Sequence, residues 1–173
     1  MNAIIENIKT RRSIRKFKSD PVPQELIDQV IEAGTYAASG RNRQPWAIIA
    51  VTNQEVRERL AKDNASFFDL SMKDPFYNAP VILIVLVKTT VPTRVADGTL
   101  ALGNMMLAAH SLGLGSCWIN RAYEEFEMPE WQEWLKEIGV EGEYEGVGHL
   151  ALGYADMEPQ TLPRKEGRVF YVK

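Results

Sequence analysis

Residues 81–87 read VILIVLV, an uninterrupted apolar run directly after Pro80. The run is too short to cross a bilayer as a helix and is rich in β-branched side chains. It therefore reads as a strand covered on both faces. Residues 47–52, 116–120 and 149–154 are weaker candidates of the same kind, and 168–173 (RVFYVK) is β-prone without an obvious partner in the chain. Helices alternate with them. Pro23 sits where a first-turn proline would, and Leu26, Ile27, Val30, Ile31 and Gly34 then share one face. Residues 100–112 are apolar on nearly all sides and read as a central, buried helix. A third helix starts at Pro129, spaces Trp131, Trp134, Leu135 and Ile138 along one face, and closes at Gly139. This mixture predicts an α+β layered domain, and no repeat, low-complexity tract or linker divides residues 1–173.

Composition narrows the function classes. A chain of 173 residues that is 45% hydrophobic has ample material for one core. A single cysteine, Cys117, excludes an internal disulfide, and with only His110 and His149 beside it a structural zinc site is not expected. The opening MNAIIENIKTRRS reaches charges too early for a signal peptide. The most apolar stretch, 100–119, is broken by Asn104, His110, Ser111 and three glycines, so no membrane span is expected and a cytoplasmic protein is the default. The net charge of -3 hides an asymmetry. Lys9, Arg11, Arg12, Arg15, Lys16 and Lys18 crowd the N-terminal region, while glutamates from Glu124 to Glu145 load the later third.

Side-chain catalysis has little support. There is no Gly-x-Ser-x-Gly elbow, and neither histidine has a serine or cysteine at a diagnostic spacing. His110 and His149 read as core histidines, and Cys117 as a small buried hydrophobe. Gly113-Leu-Gly115 and Gly146-Val-Gly148 precede strands rather than open helices, so they do not form a dinucleotide fingerprint. They read instead as helix ends and sharp turns into strands. No phosphate loop of the ATPase type is present.

Two segments remain. Thr10-Arg-Arg-Ser-Ile-Arg15 offers three arginines and a hydroxyl that suit a phosphate, though a solvated surface run has the same composition. A nucleic-acid patch would want interleaved aromatics and a basic domain, and neither is present. Residues 37–46 (AASGRNRQPW) place Asn42 and Gln44 ahead of a strand, where they would read the edge of a planar heterocycle or simply join helix to strand. Spacing alone does not decide either case.

Taken in order, these segments resemble the nitroreductase family of FMN-dependent oxidoreductases. The resemblance is carried by Arg11-Arg12-Ser13-Ile14-Arg15, by Ser39-Gly40-Arg41-Asn42-Arg43-Gln44-Pro45-Trp46, by 111–118 (SLGLGSCW), by 146–154 and by Pro163-Arg164-Lys165. It extends over essentially the whole chain and implies a layered fold with a central mixed sheet flanked by helices. It also implies a homodimer with FMN at the subunit interface and a C-terminal strand exchanged with the partner. Arg11, Arg12 and Ser13 would hold the phosphate, with Arg164 and Lys165 approaching from the C-terminal segment. Arg15 would be a flavin-tuning cation near the pyrimidine. Ser39, Gly40, Asn42 and Gln44 would reach the cofactor, the first three from the partner subunit. Trp118, Ile119 and Asn120, with Arg121 beside them, would run along the flavin near N5 and O4.

The implied chemistry is hydride transfer from NAD(P)H through flavin to an electron-poor small molecule, a nitro compound, quinone or similar, by a ping-pong mechanism without a protein acid or base. No metal and no nucleic acid enter it. Between Leu60 and Pro80 the chain lacks the longer helical insertion that often roofs such sites. Asp69, Asp74 and Asn78 are candidates there for the flavin pyrimidine edge, and all three also suit turns. Phe67, Phe68, Phe76 and Tyr77 are candidates for a substrate pocket or for the core. Leu162 and Glu166 alter the usual basic pattern around Arg164, and Arg168 is a further candidate to assist it. Two alternatives stand beside this reading: specialised chemistry on the same flavin fold, such as reductive dehalogenation, and a non-catalytic basic-patch binding module.

Overall fold

The computed structural model describes residues 2–68 and 72–173. The elements are α1 (Ala3–Thr10), α2 (Gln24–Thr35), β1 (Trp46–Val51), α3 (Gln54–Ala65), β2 (Val81–Lys88), α4 (Arg94–Ser111), β3 (Gly115–Ile119), α5 (Ala122–Phe126), α6 (Pro129–Glu137) and β4 (Tyr144–Gly153). The four strands lie in the order β1-β2-β4-β3.

β2 is the covered strand that its composition demands. Each residue from Val81 to Val87 is buried, and each such side chain contributes about 1.5–3 kcal/mol relative to exposure. Successive side chains alternate faces. Val81, Leu83 and Val85 pack with Ile27 and Val30 of α2 and Leu102, Met105 and Ala109 of α4. Ile82, Ile84 and Leu86 pack with Leu60 of α3, Phe126 of α5 and Trp131 and Leu135 of α6. Helices thus cover both faces of one sheet, and the fold is α+β.

The expected mixed sheet needs one correction. All three strand pairings are antiparallel, and the parallel contact among the described residues is the isolated Ser13–Ser116 bridge. The reason lies in β4. It enters between β2 and β3 and runs opposite to both, so every pair of neighbours alternates in direction. β4 is also longer than the expected 149–154, because Glu145, Gly146 and Gly148 pair with β2 across a bulge at Val85 and Leu86. Gly146 and Gly148 therefore do not end a helix. A Cβ at Gly146 would meet the Ala122 carbonyl, and one at Gly148 would meet the Trp118 ring. Both permit close approach inside a strand. Gly113, at φ +76°, does turn the chain out of α4 as expected.

α1 begins at Asn2, whose Oδ1 accepts the Ile4 and Ile5 N–H groups, and it docks on α4 through Asn7 Nδ2 to the Leu107 carbonyl at 3.0 Å. The segment after it is stitched to the sheet by Ile14 N–H to the Ser116 carbonyl and Lys18 N–H to the Tyr154 carbonyl. Residues 168–173 form no strand within the chain, and Val169 to Val172 are exposed. No helix among the described residues is long and apolar enough to cross a membrane.

Candidate functional site

Arg11 is the C-cap of α1, and the stitching of Ser13 to Ser116 lays residues 11–15 alongside β3. A cavity of about 590 Å³ forms there, lined by Arg11, Arg12, Ser13, Arg15, Arg164 and the segment around Met157 and Pro159. A second cavity of about 360 Å³ shares Arg11 and Arg12 and adds Thr10, His110, Gly115 and Ser116. Lys165 and Arg168 line neither.

The arginines do not play equal parts. Arg12 Nη1 donates to the Lys9 carbonyl at 2.6 Å and the Arg11 carbonyl at 2.7 Å, so that nitrogen is committed to backbone, while its Nε is buried without a partner among the described residues. Arg11 Nη1 is buried and has no partner among the described residues. Burial, then Arg12 and Arg164, lower the pKa of Arg11. A desolvated cation with a free donor is a site for an anion.

His110 belongs to this cavity rather than to the core. It is half-buried, and its Nε2 lies 2.8 Å from Thr10 Oγ1. Burial and then Arg11 and Arg12 hold it below the ordinary histidine value. The sequence missed this because 100–112 looks apolar on every side, whereas the last turn of α4 emerges beside α1. Cys117 is buried as expected, and burial raises its pKa despite the opposing pull of Arg15, Ser13 and Arg11.

β3 leads away from this basic end. From Ser116 to Asn120 the extended chain covers about 13 Å. Trp118 is 44% exposed and its indole lies over Gly148, whereas Ile119 is buried and offers only its backbone. Arg121 is left-handed at φ 76° and pairs with Glu124 at 2.5 Å. Its guanidinium lies 5.7 Å from the Phe68 ring centroid.

The second segment singled out in the sequence is a strained loop elsewhere. Arg41, Asn42 and Gln44 all have positive φ without being glycine, a conformation that costs of order 1–3 kcal/mol per residue. The loop is held by the buried Asp97 carboxylate. Its Oδ1 accepts the Gly40 N–H at 3.0 Å, and its Oδ2 accepts the Thr93 hydroxyl at 2.7 Å. Ser39 Oγ accepts the Gln44 N–H, and Gln44 Nε2 donates to Asn42 Oδ1. Asn42 and Gln44 remain exposed.

Asp97, which holds the loop, and His110, which lines the basic cavity, are thirteen positions apart on α4, about 20 Å along a helix rising 1.5 Å per residue.

The region between α3 and β2 is mostly structural. Asp69 lies outside the described residues. Asp74 is committed to Arg57 at 2.5 Å and to the Phe76 and Asn78 N–H groups, and Asn78 is a left-handed turn residue. Phe76 is core, while Phe68 stays partly exposed beside Arg121. His149 is fully buried, as the core reading expects, and its Nε2 lies 2.7 Å from Glu125 Oε2.

Comparison with known proteins gives a consistent picture. The model of the nitroreductase family matches residues 8–154. A Methanothermobacter thermautotrophicus protein named for NADH dehydrogenase and NAD(P)H nitroreductase activity is 39% identical over 119 residues, which is 66% of this chain and 59% of that protein. An iodotyrosine deiodinase of Thermotoga neapolitana is 25% identical over 99% of this chain and 98% of its own. Among solved structures, a Bacteroides fragilis nitroreductase with bound FMN superposes with a TM-score of 0.88 at 31% identity, covering 100% of both chains.

Proposed function

The chain belongs to the nitroreductase family, and from that premise we propose that it is a homodimeric, cytoplasmic FMN-dependent oxidoreductase with NAD(P)H as reductant. The observation that carries this reading is the partnerless, buried Nη1 of Arg11 in a basic cavity at the head of β3. An FMN phosphate fits that donor, and 13 Å of strand remains to carry a ring system. Bound FMN supplies two-electron transfer, accepting hydride from NAD(P)H and delivering it to an electron-poor nitro compound, quinone or similar acceptor that enters after the nicotinamide leaves.

The chain's own residues then bind, orient and polarise. Arg11, Ser13 and Arg164 grip the phosphate by charge-assisted hydrogen bonds, and Arg12 adds charge from its committed position. Lys165 adds at most long-range charge, since it lines neither cavity. Arg15, whose charge reaches Cys117, would hold a positive charge toward the ring and stabilise charge developing near N1 and O2. The backbone of Trp118, Ile119 and Asn120 borders the ring. Ser39, Gly40 and Asn42, with Gln44 bracing them, come from the partner.

Support for the dimer comes from the surface. Ile4 and Ile8 of α1, Tyr36 just past α2, and Val95 and Leu100 of α4 are large side chains at least half exposed. A groove of about 800 Å³ runs between those helices. Apolar surface of this kind marks an interface. The exposed Val169–Val172 stretch suits a segment that embraces the other subunit.

Anaerobic mixing tests the activity. NADH or NADPH should bleach the bound flavin, an added nitroaromatic or quinone should restore its colour, and initial rates should give the parallel lines of a ping-pong scheme. Failure of both nucleotides to bleach the flavin contradicts the proposal. Reductive dehalogenation is a second reading favoured by the deiodinase relative, but no helix roofs the site between α3 and β2 among the described residues. Halogenated phenols as acceptors separate the two.

A further inference from the structure

Three polar side chains are fully buried beneath the end of β3: Asn64 of α3, Glu125 of α5 and His149 of β4. Asn64 Nδ2 donates to the Asn120 carbonyl and to Glu125 Oε2, each at 3.0 Å. Glu125 Oε2 also lies 2.7 Å from His149 Nε2. His149 Nε2 and Glu125 Oε2 are thus joined by one hydrogen bond, whose direction follows the tautomer of the ring. Phe76 stands edge-on to the imidazole at 5.2 Å and Phe126 lies tilted at 6.1 Å, which keeps the surroundings apolar.

As a stabilising device this cluster is poor. Asn64 Oδ1, Glu125 Oε1 and His149 Nδ1 are buried without partners among the described residues, and each such atom costs about 1–3 kcal/mol. Hydrophobic side chains of similar volume would often serve stability as well or better. What they would not supply is direction. The last ladder pair of β3 is Ile119 with His149. One residue on, Asn120 has left the ladder, and Arg121 turns the chain into the left-handed region. The Asn64 amide supplies a donor to the Asn120 carbonyl there, and through Glu125 that amide is referred back to His149, the cross-strand partner of the preceding residue.

We infer that Asn64, Glu125 and His149 form a buried positioning triad that sets the backbone orientation of Ile119 and Asn120, and thereby the reduction potential and hydride-transfer geometry of a flavin lying against them. The inference rests on the proposed FMN site at this strand end. The triad touches neither cofactor nor substrate and acts through the Asn120 peptide alone. Phosphate binding, governed by Arg11 and Arg164 at the other end of β3, is separate from it.

The test uses full-length, FMN-loaded protein and two variants. Asn64→Leu keeps the branched shape and removes both donated hydrogen bonds. Glu125→Gln keeps the shape, removes the charge and offers His149 a neutral acceptor. The expected result is a shifted midpoint potential of bound FMN and a reduction by NAD(P)H slowed about 10- to 100-fold, as for a misplaced reacting group, with FMN affinity within about threefold of wild type because the phosphate contacts are intact. If Asn64→Leu does not fold, Glu125→Gln decides. Folded variants with the wild-type potential and reduction rate overturn the inference while leaving the FMN reading standing, as does failure of both variants to fold, which makes the triad a stability element. Wild-type protein that binds no FMN removes the FMN reading and this inference with it.

Discussion

Asp97 of α4 accepts the Gly40 backbone N–H at 3.0 Å, and this bond fastens the strained 39–44 loop to a rigid helix. The Thr93 hydroxyl fixes the other carboxylate oxygen at 2.7 Å, and a Cβ at Gly40 would lie 2.5 Å from Thr93 Oγ1. Asp97→Ala leaves the Gly40 N–H and the Thr93 hydroxyl without their acceptor, which should cost about 1–3 kcal/mol in urea unfolding. Asp97→Asn keeps one acceptor and should recover part of that loss. Equal stability of all three proteins would contradict the clamp.

The phosphate grip has its own signature. Arg11→Ala removes a charge-assisted donor worth about 1.5–3 kcal/mol and should weaken FMN binding about 10- to 100-fold. Arg164→Ala should cost less, because Arg164 sits on an exposed segment where solvent screens it. Titration of apoprotein, followed by quenching of FMN fluorescence, measures both. An unchanged Kd for Arg11→Ala refutes its role.

His110 gives a dependence on pH with a definite sign. Burial and the neighbouring Arg11 and Arg12 keep it neutral below its ordinary value near 6.5. A bound phosphate offsets those cations and draws a proton onto the ring. Relative to His110→Gln, FMN affinity should therefore strengthen as pH falls below about 6.5, the phosphate's own titration being common to both proteins. Apoprotein stability moves the other way. The unfolded chain protonates this histidine first, so stability declines as pH drops through the same window. Identical pH profiles for the two proteins would contradict the placement of His110.

Cys117 should be inert. It is buried in β3, and burial raises its pKa, so a thiol reagent should label it only after denaturation. Labelling of folded protein at the rate of a free thiol would show that β3 opens readily.

Much of this arrangement was legible because it rests on local chemistry. An apolar run such as 81–87 can be satisfied only between two layers, and a cluster such as Arg11-Arg12-Ser13-Ile14-Arg15 advertises its charge wherever the chain goes. The misses were contacts between distant segments. β4 extends to Tyr144 because Gly146 and Gly148 admit the Ala122 carbonyl and the Trp118 ring, and nothing within 146–148 announces those neighbours. His149 is the core residue that the sequence suggests, but its partner Glu125 was not legible, because it lies on a short helix, α5, with no strong periodicity of its own. α1 and α3 owe their starts to the side chains of Asn2 and Asn53, signals that weakly patterned helices make easy to overlook. Asp97 was the most readable of the missed residues. It is an acid on a helix otherwise short of charge, four residues after the threonine it binds.

We propose that a functional site forms only when two copies of this chain enclose FMN. Sedimentation velocity monitored at flavin and protein absorbance tests it directly. The account predicts that flavin absorbance travels with a dimer at one FMN per chain. A stable FMN-loaded monomer, or a dimer that stays colourless after incubation with excess FMN, would contradict it.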